Sequence, residues 1–166
     1  MVGLFLPAIL WYNHDILARG DEHMGAVSAE ANRNLLNAAN FEEFLIENQE
    51  NMLNLTLSDY LSLQLYQKDL RVADVIRDSG LTKSYVHQIF NGEKKPSRDK
   101  LIAVAFGLHL NAEDTQRMLK LGGCSELYPR VARDAAILFS IQHGMSIGDA
   151  NDLLYDNKFP TLLERE

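Results

Sequence analysis

Five side chains that donate or accept hydrogen bonds lie within one short stretch of this chain: Lys83, Ser84, His87, Gln88 and Asn91. On a helix, residues at i, i+1, i+4, i+5 and i+8 share a face. None of the five is acidic, although the chain carries 23 carboxylate residues. A polar helix face without carboxylates is what hydrogen bonding to base edges in a nucleic-acid groove requires. Lys94 and Lys95 follow in the next loop, where they read as clamps on phosphate.

The remainder of that helix explains how the face is held. Tyr85, Val86, Ile89 and Phe90 fall at i, i+1, i+4 and i+5, an apolar face opposite the polar one. Val75 and Ile76 mark a preceding short helix, and Gly80 stands between the two. A helix that stops abruptly needs a left-handed residue, which glycine supplies without the ~1–2 kcal/mol cost of a side chain. Thr82 then restarts the chain as an N-cap. The stretch 72–92, VADVIRDSGLTKSYVHQIFNG, is therefore expected to form a helix-turn-helix.

On Ser79-Gly80-Leu81-Thr82, Val86, Ile89 and Asn91-Gly92, the chain resembles the lambda-repressor-like, Cro/XRE-type helix-turn-helix family over roughly 57–121. The resemblance implies an all-α bundle that binds double-stranded DNA and regulates transcription, without cofactor or enzymatic activity. It implies that the helix beginning after Thr82 enters the major groove. There Lys83 donates to guanine, Gln88 pairs bidentately with adenine, and Ser84 and His87 act nearer the edges. Thr82, Tyr85, Asn91, Lys94, Lys95, Ser97 and Arg98 would then contact phosphates. Members usually bind as dimers on two half-sites, so a homodimer is expected. Phe90 departs from the family pattern, in which that position is often polar. An added element is expected to cover it.

Net charge is −7 over 166 residues, which by itself argues against a nucleic-acid partner. The distribution of that charge points the other way. Residues 1–56 hold two basic and eight acidic side chains, residues 57–128 ten and nine, and residues 129–166 four and six. The locally basic window, with Lys83, Lys94, Lys95, Arg98 and Lys100, coincides with the candidate helix and its loop. A single cysteine, Cys124, excludes an intramolecular disulfide and fits a reducing cytoplasm. No apolar run approaches the ~18 residues of a membrane span.

In chain order, residues 1–39 read as a weakly structured leader. The apolar run from Val2 to Trp11 lacks the basic start of a signal peptide, since the first basic residue is Arg19. Arg19-Gly20 can be encoded as AGG-GGN, three codons ahead of Met24, the layout of a ribosome-binding site. Met1 to His23 is accordingly expected to be translated leader. Residues 40–56 form a lead-in helix opened by a capping box, Asn40-x-x-Glu43. Residues 57–128 form the helix-turn-helix domain, and 129–166 a C-terminal helical hairpin.

A repeat underlies that last assignment. Shifted by 35 residues, 98–130 overlays 133–165 without a gap, with seven of 33 positions identical: Arg98/Arg133, Asp99/Asp134, Ile102/Ile137, Asp114/Asp149, Leu119/Leu154, Leu127/Leu162 and Arg130/Arg165. Ile137, Leu138 and Ile141 are thus expected in the core. An adaptor that binds a partner protein through this hairpin is the alternative function. His14, His23, His87, His109 and His143 are scattered without metal-ligand spacing, and no phosphate-binding glycine loop occurs.

Overall fold

The computed structural model describes residues 56–164, together with Arg33, Leu36 and Asn37, which are helical. Met1–Asn54 and Leu55–Glu166 are two compact units. Apart from those three residues, the expected leader lies outside the described residues, as does the capping box at Asn40. Residues 56–164 hold seven helices and no strand: α1 (Leu57–Gln67), α2 (Val72–Ser79), α3 (Lys83–Phe90), α4 (Arg98–Gly107), α5 (Ala112–Leu121), α6 (Ala132–Gln142) and α7 (Ile147–Asp156). The protein is all-α over this span, and no described helix is long and apolar enough to cross a membrane.

Polar side chains at the boundaries decide where these helices begin. Thr56, Thr82, Asn111 and Ser146 each accept a hydrogen bond from the backbone N–H three residues on. Such caps are worth ~0.5–2 kcal/mol apiece. The ends share one device. At Asp69, His109 and Gly144 the backbone turns left-handed, with φ of 52°, 50° and 62°. The following N–H reaches back five residues, from Leu70 to Leu65, Leu110 to Ala105 and Met145 to Ser140, at 2.9 to 3.0 Å. That bond satisfies a carbonyl the helix leaves open.

Helix α4 is the centre of the core, buried along its whole length from Leu101 to Leu108. It packs on α2, α5 and α7. Gly107 allows the α2 contact: a Cβ there would lie 2.8 Å from the Val75 carbonyl oxygen and 2.9 Å from Ser79 Cβ. Phe90 is covered, as expected, at 8% exposure; α1 and α2 pack on α3, and Ser58 Oγ on α1 donates to the Phe90 carbonyl.

The 35-residue repeat is a repeat of structure. Helices α5 and α7 begin and end at equivalent positions, and the left-handed residues His109 and Gly144 correspond, as do Gly123 and Lys158. Arg98 binds both oxygens of Asp134 at 2.9 and 2.8 Å, and Arg133 binds both oxygens of Asp99 at 3.0 and 2.9 Å. Their Nε atoms donate to equivalent carbonyls, Ser125 and Pro160, each at 2.9 Å. Leu127 N–H donates to Gln116 Oε1 at 2.7 Å and Leu162 N–H to Asn151 Oδ1 at 2.8 Å. Because each hairpin gives its arginine to the other's aspartate, the pair is self-complementary in the manner of a two-fold contact. A stacked array would instead repeat one contact in one direction. Ile137 and Leu154 are buried, and Leu138 and Ile141 pack against the same core, as expected.

Candidate nucleic-acid interface

Three residues, Gly80 to Thr82, join α2 to α3. Gly80 has φ 66°, and a Cβ on it would lie 2.7 Å from Leu163 Cδ1, so the C-terminal segment braces the turn. Leu81 is buried, and its N–H donates to Ser79 Oγ at 3.3 Å. Thr82 Oγ1 accepts from the Tyr85 N–H at 3.4 Å and starts α3. Val86, Ile89 and Phe90 face the core. The opposite face presents Lys83, Ser84 and His87 exposed and Gln88 partly exposed. Among the described residues, none of these four side chains has a hydrogen-bond or ion-pair partner.

The electrostatic setting of α3 differs from that of every other described helix. Six of the seven have a carboxylate in the first turn, where it complements the helix dipole. Helix α3 has none and begins with Lys83. On neighbouring α2, Arg77 bridges Asp74 and Asp78 at 3.1 and 2.6 Å, and His109 Nε2 lies 3.1 Å from Asp78. The hydrogen bond from Arg77 outweighs desolvation and holds the Asp78 carboxyl below the usual aspartate value. The carboxylates of α2 thus face Arg71 and Arg77, with the His109 ring of the α4–α5 turn beside Asp78.

After α3 the chain turns at Gly92, φ 72°, and the N–H groups of Glu93 and Lys94 both donate to the Gln88 carbonyl. Lys94 Nζ sits 4.7 Å from the centroid of the Tyr85 ring, a cation–π contact that folds this lysine back along α3. Lys95 is exposed and lies across the end of α5, its Nζ 3.1 Å from where a Gly123 Cβ would stand. Asn91 is exposed and donates to Glu93 Oε1 at 3.1 Å. Ser97 occupies the N-cap of α4 without a side-chain cap bond. Thr82, Tyr85, Asn91, Lys94, Lys95 and Ser97 therefore lie on α3 or the segments that flank it.

Arg98 is the exception among the residues read as phosphate contacts. Its guanidinium is filled by Asp134 and by the Ser125 and Glu126 carbonyls, and the hydrogen bond to Asp134 raises its pKa. It is a strut between the hairpins, and it leaves the phosphate set. The signal that could have revealed this is the recurrence of Arg-Asp at 98–99 and 133–134, since Arg133 lies outside any basic window. No protein-family model, curated protein or solved structure matches this chain.

Proposed function

We propose that this chain is a sequence-specific, DNA-binding transcriptional regulator of the cytoplasm, lambda-repressor-like in fold and without enzymatic activity. In this reading α2 and α3 are the helix-turn-helix and α3 is the reading helix. One observation carries it. The described helix without a carboxylate in its first turn is also the one whose polar face is exposed and unpartnered and whose exit loop bears two lysines. Lys83 at the positive end of a helix dipole costs a little stability, which is reasonable if its charge serves a phosphate-rich ligand. Lys83 and Gln88 would read bases, with Ser84 and His87 beside them. Lys94, Lys95 and the open N-terminus of α4 at Ser97 would hold the backbone.

Selection from random duplexes by the purified chain tests the proposal. A motif should be enriched, and Lys83→Ala with Gln88→Ala should lower discrimination at single base pairs by ~1–3 kcal/mol. Lys94→Ala with Lys95→Ala should instead weaken all duplexes alike and flatten the salt dependence by ~0.9 for each phosphate no longer neutralised. Enrichment of nothing at low salt would overturn the reading and favour the adaptor.

A further inference from the structure

We propose that Leu163 is a positioning residue for α3, a role that rests on the regulator reading and adds what sets the angle of the reading helix. Helix α3 packs on α1 and α2 and has no comparable contact with α4 to α7. Its link to α2 is three residues long, and left-handed Gly80 gives that link its direction. A few such turn residues absorb the rotation when one element swings against another. Whatever rests on Gly80 therefore governs the pose of α3. Leu163 rests there: its Cδ1 stands 2.7 Å from where a Gly80 Cβ would be, and among the described residues nothing else beyond the chain neighbours comes within 4 Å of that point.

The segment that carries Leu163 is itself fixed. Leu162 is 3% exposed, and its N–H donates to Asn151 Oδ1 at 2.8 Å. Thr161 Oγ1 donates to the Leu163 carbonyl at 2.7 Å, and Leu163 packs half-buried against the common core. A segment tied down in this way can hold another element in turn, which a frayed terminus cannot. Base readout demands such support, because a recognition side chain must be kept within about 10–20° of its productive geometry.

The repeat departs from itself at this residue. It pairs Leu163 with Tyr128 and Thr161 with Glu126. In the first hairpin Arg98 Nη2 donates to the Glu126 carbonyl at 2.8 Å, and the Tyr128 N–H donates to Asp134 at 3.0 Å. Among the described residues the second hairpin makes neither bond: Arg133 donates to the Pro160 carbonyl and to Asp99, and Asp99 accepts nothing from the Leu163 N–H. Tyr128 is 54% exposed, whereas Leu163 lies on Gly80. The hairpins thus match where they hold each other and differ where the second one meets the α2–α3 turn.

Amide hydrogen exchange and duplex binding by the full chain test this, with Leu163→Ala, Leu163→Met and Tyr128→Ala compared. Leu163→Ala should speed exchange across α3 at least about tenfold more than across α4, since a local opening leaves the rest of the bundle closed. Its affinity for the selected duplex should fall about tenfold, the result of α3 holding its productive pose a tenth of the time. Leu163→Met keeps the volume and should restore both, and Tyr128→Ala, the equivalent truncation at an exposed position, should change neither. Exchange that rises alike in α3 and α4 would make Leu163 an ordinary core residue and overturn the proposal. So would Leu163→Ala binding the selected duplex as the wild type does, or Tyr128→Ala matching Leu163→Ala. Fast exchange confined to α3, in a chain that enriches no duplex, would leave Leu163 as the residue that positions α3 and remove the regulator reading instead.

Discussion

The paired hairpins and α3 follow opposite rules for their polar groups. In α4 to α7 the chain answers itself: Arg98 meets Asp134, Arg133 meets Asp99, and Gln116 and Asn151 take the N–H groups of Leu127 and Leu162. In α3 the polar groups face outward with no answer among the described residues. The first arrangement is what stability asks for, because a buried polar group left unpaired costs ~1–3 kcal/mol. The second costs nothing in water and leaves the donors available. The difference separates the part of the molecule that holds from the part that we propose reads.

The hairpin side of that comparison predicts the largest effects. Ile102 and Ile137 are equivalent and fully buried, so Ile102→Ala and Ile137→Ala should each cost ~2–5 kcal/mol in chemical denaturation. Similar losses in a single transition would show that both hairpins belong to one cooperative unit. A separate early transition in Ile137→Ala would split α6 and α7 from the bundle.

A smaller effect should divide the two ion pairs. The Asp134 side chain is 8% exposed and also accepts from Tyr128 N–H, whereas Asp99 is 37% exposed. Asp134→Asn should cost ~1–3 kcal/mol, since it leaves Arg98 with an uncharged partner, and Asp99→Asn should stay within ~1 kcal/mol. Burial alone would raise the Asp134 carboxyl. The Arg98 guanidinium and the Tyr128 N–H outweigh that and hold it below its ordinary 3.8. A depressed carboxyl contributes its stability above the unfolded value and loses it as pH falls through the folded one. The gap between wild type and Asp134→Asn should therefore be full at neutral pH and close below pH 3.8 in acid denaturation.

The hairpin pair was legible in the sequence because most of its identical positions do matching work. Asp114 and Asp149 sit at the same place in the first turn after their caps, and Ile102 and Ile137 fill the same core. The turn at Gly80 and the cap at Thr82 were legible too, being decided by neighbours a few residues away. Arg98 was not. Its partner lies 36 residues along the chain, and a sequence shows its charge but not which carboxylate claims it. That Phe90 needs cover was legible, but the bond from Ser58 Oγ to its carbonyl, 32 residues away, was not.

The smallest expected effect on stability is the most discriminating. If α3 differs from the other helices because its first turn is kept free for an anionic ligand, then Lys83→Glu gives it the carboxylate that the other six possess. The dipole should reward this by ~0.3–1 kcal/mol, and Lys83 is exposed, so no packing is lost. Thermal unfolding should thus show an unchanged or slightly raised midpoint, largest at low ionic strength. Affinity for duplex DNA should fall for every sequence, as a negative charge now meets the phosphates. A gain in stability together with a loss of binding means that α3 holds its lysine at the expense of its own helix. A variant that is less stable would instead tie Lys83 to the fold, and the contrast between holding and reading elements would dissolve at the residue where it is sharpest.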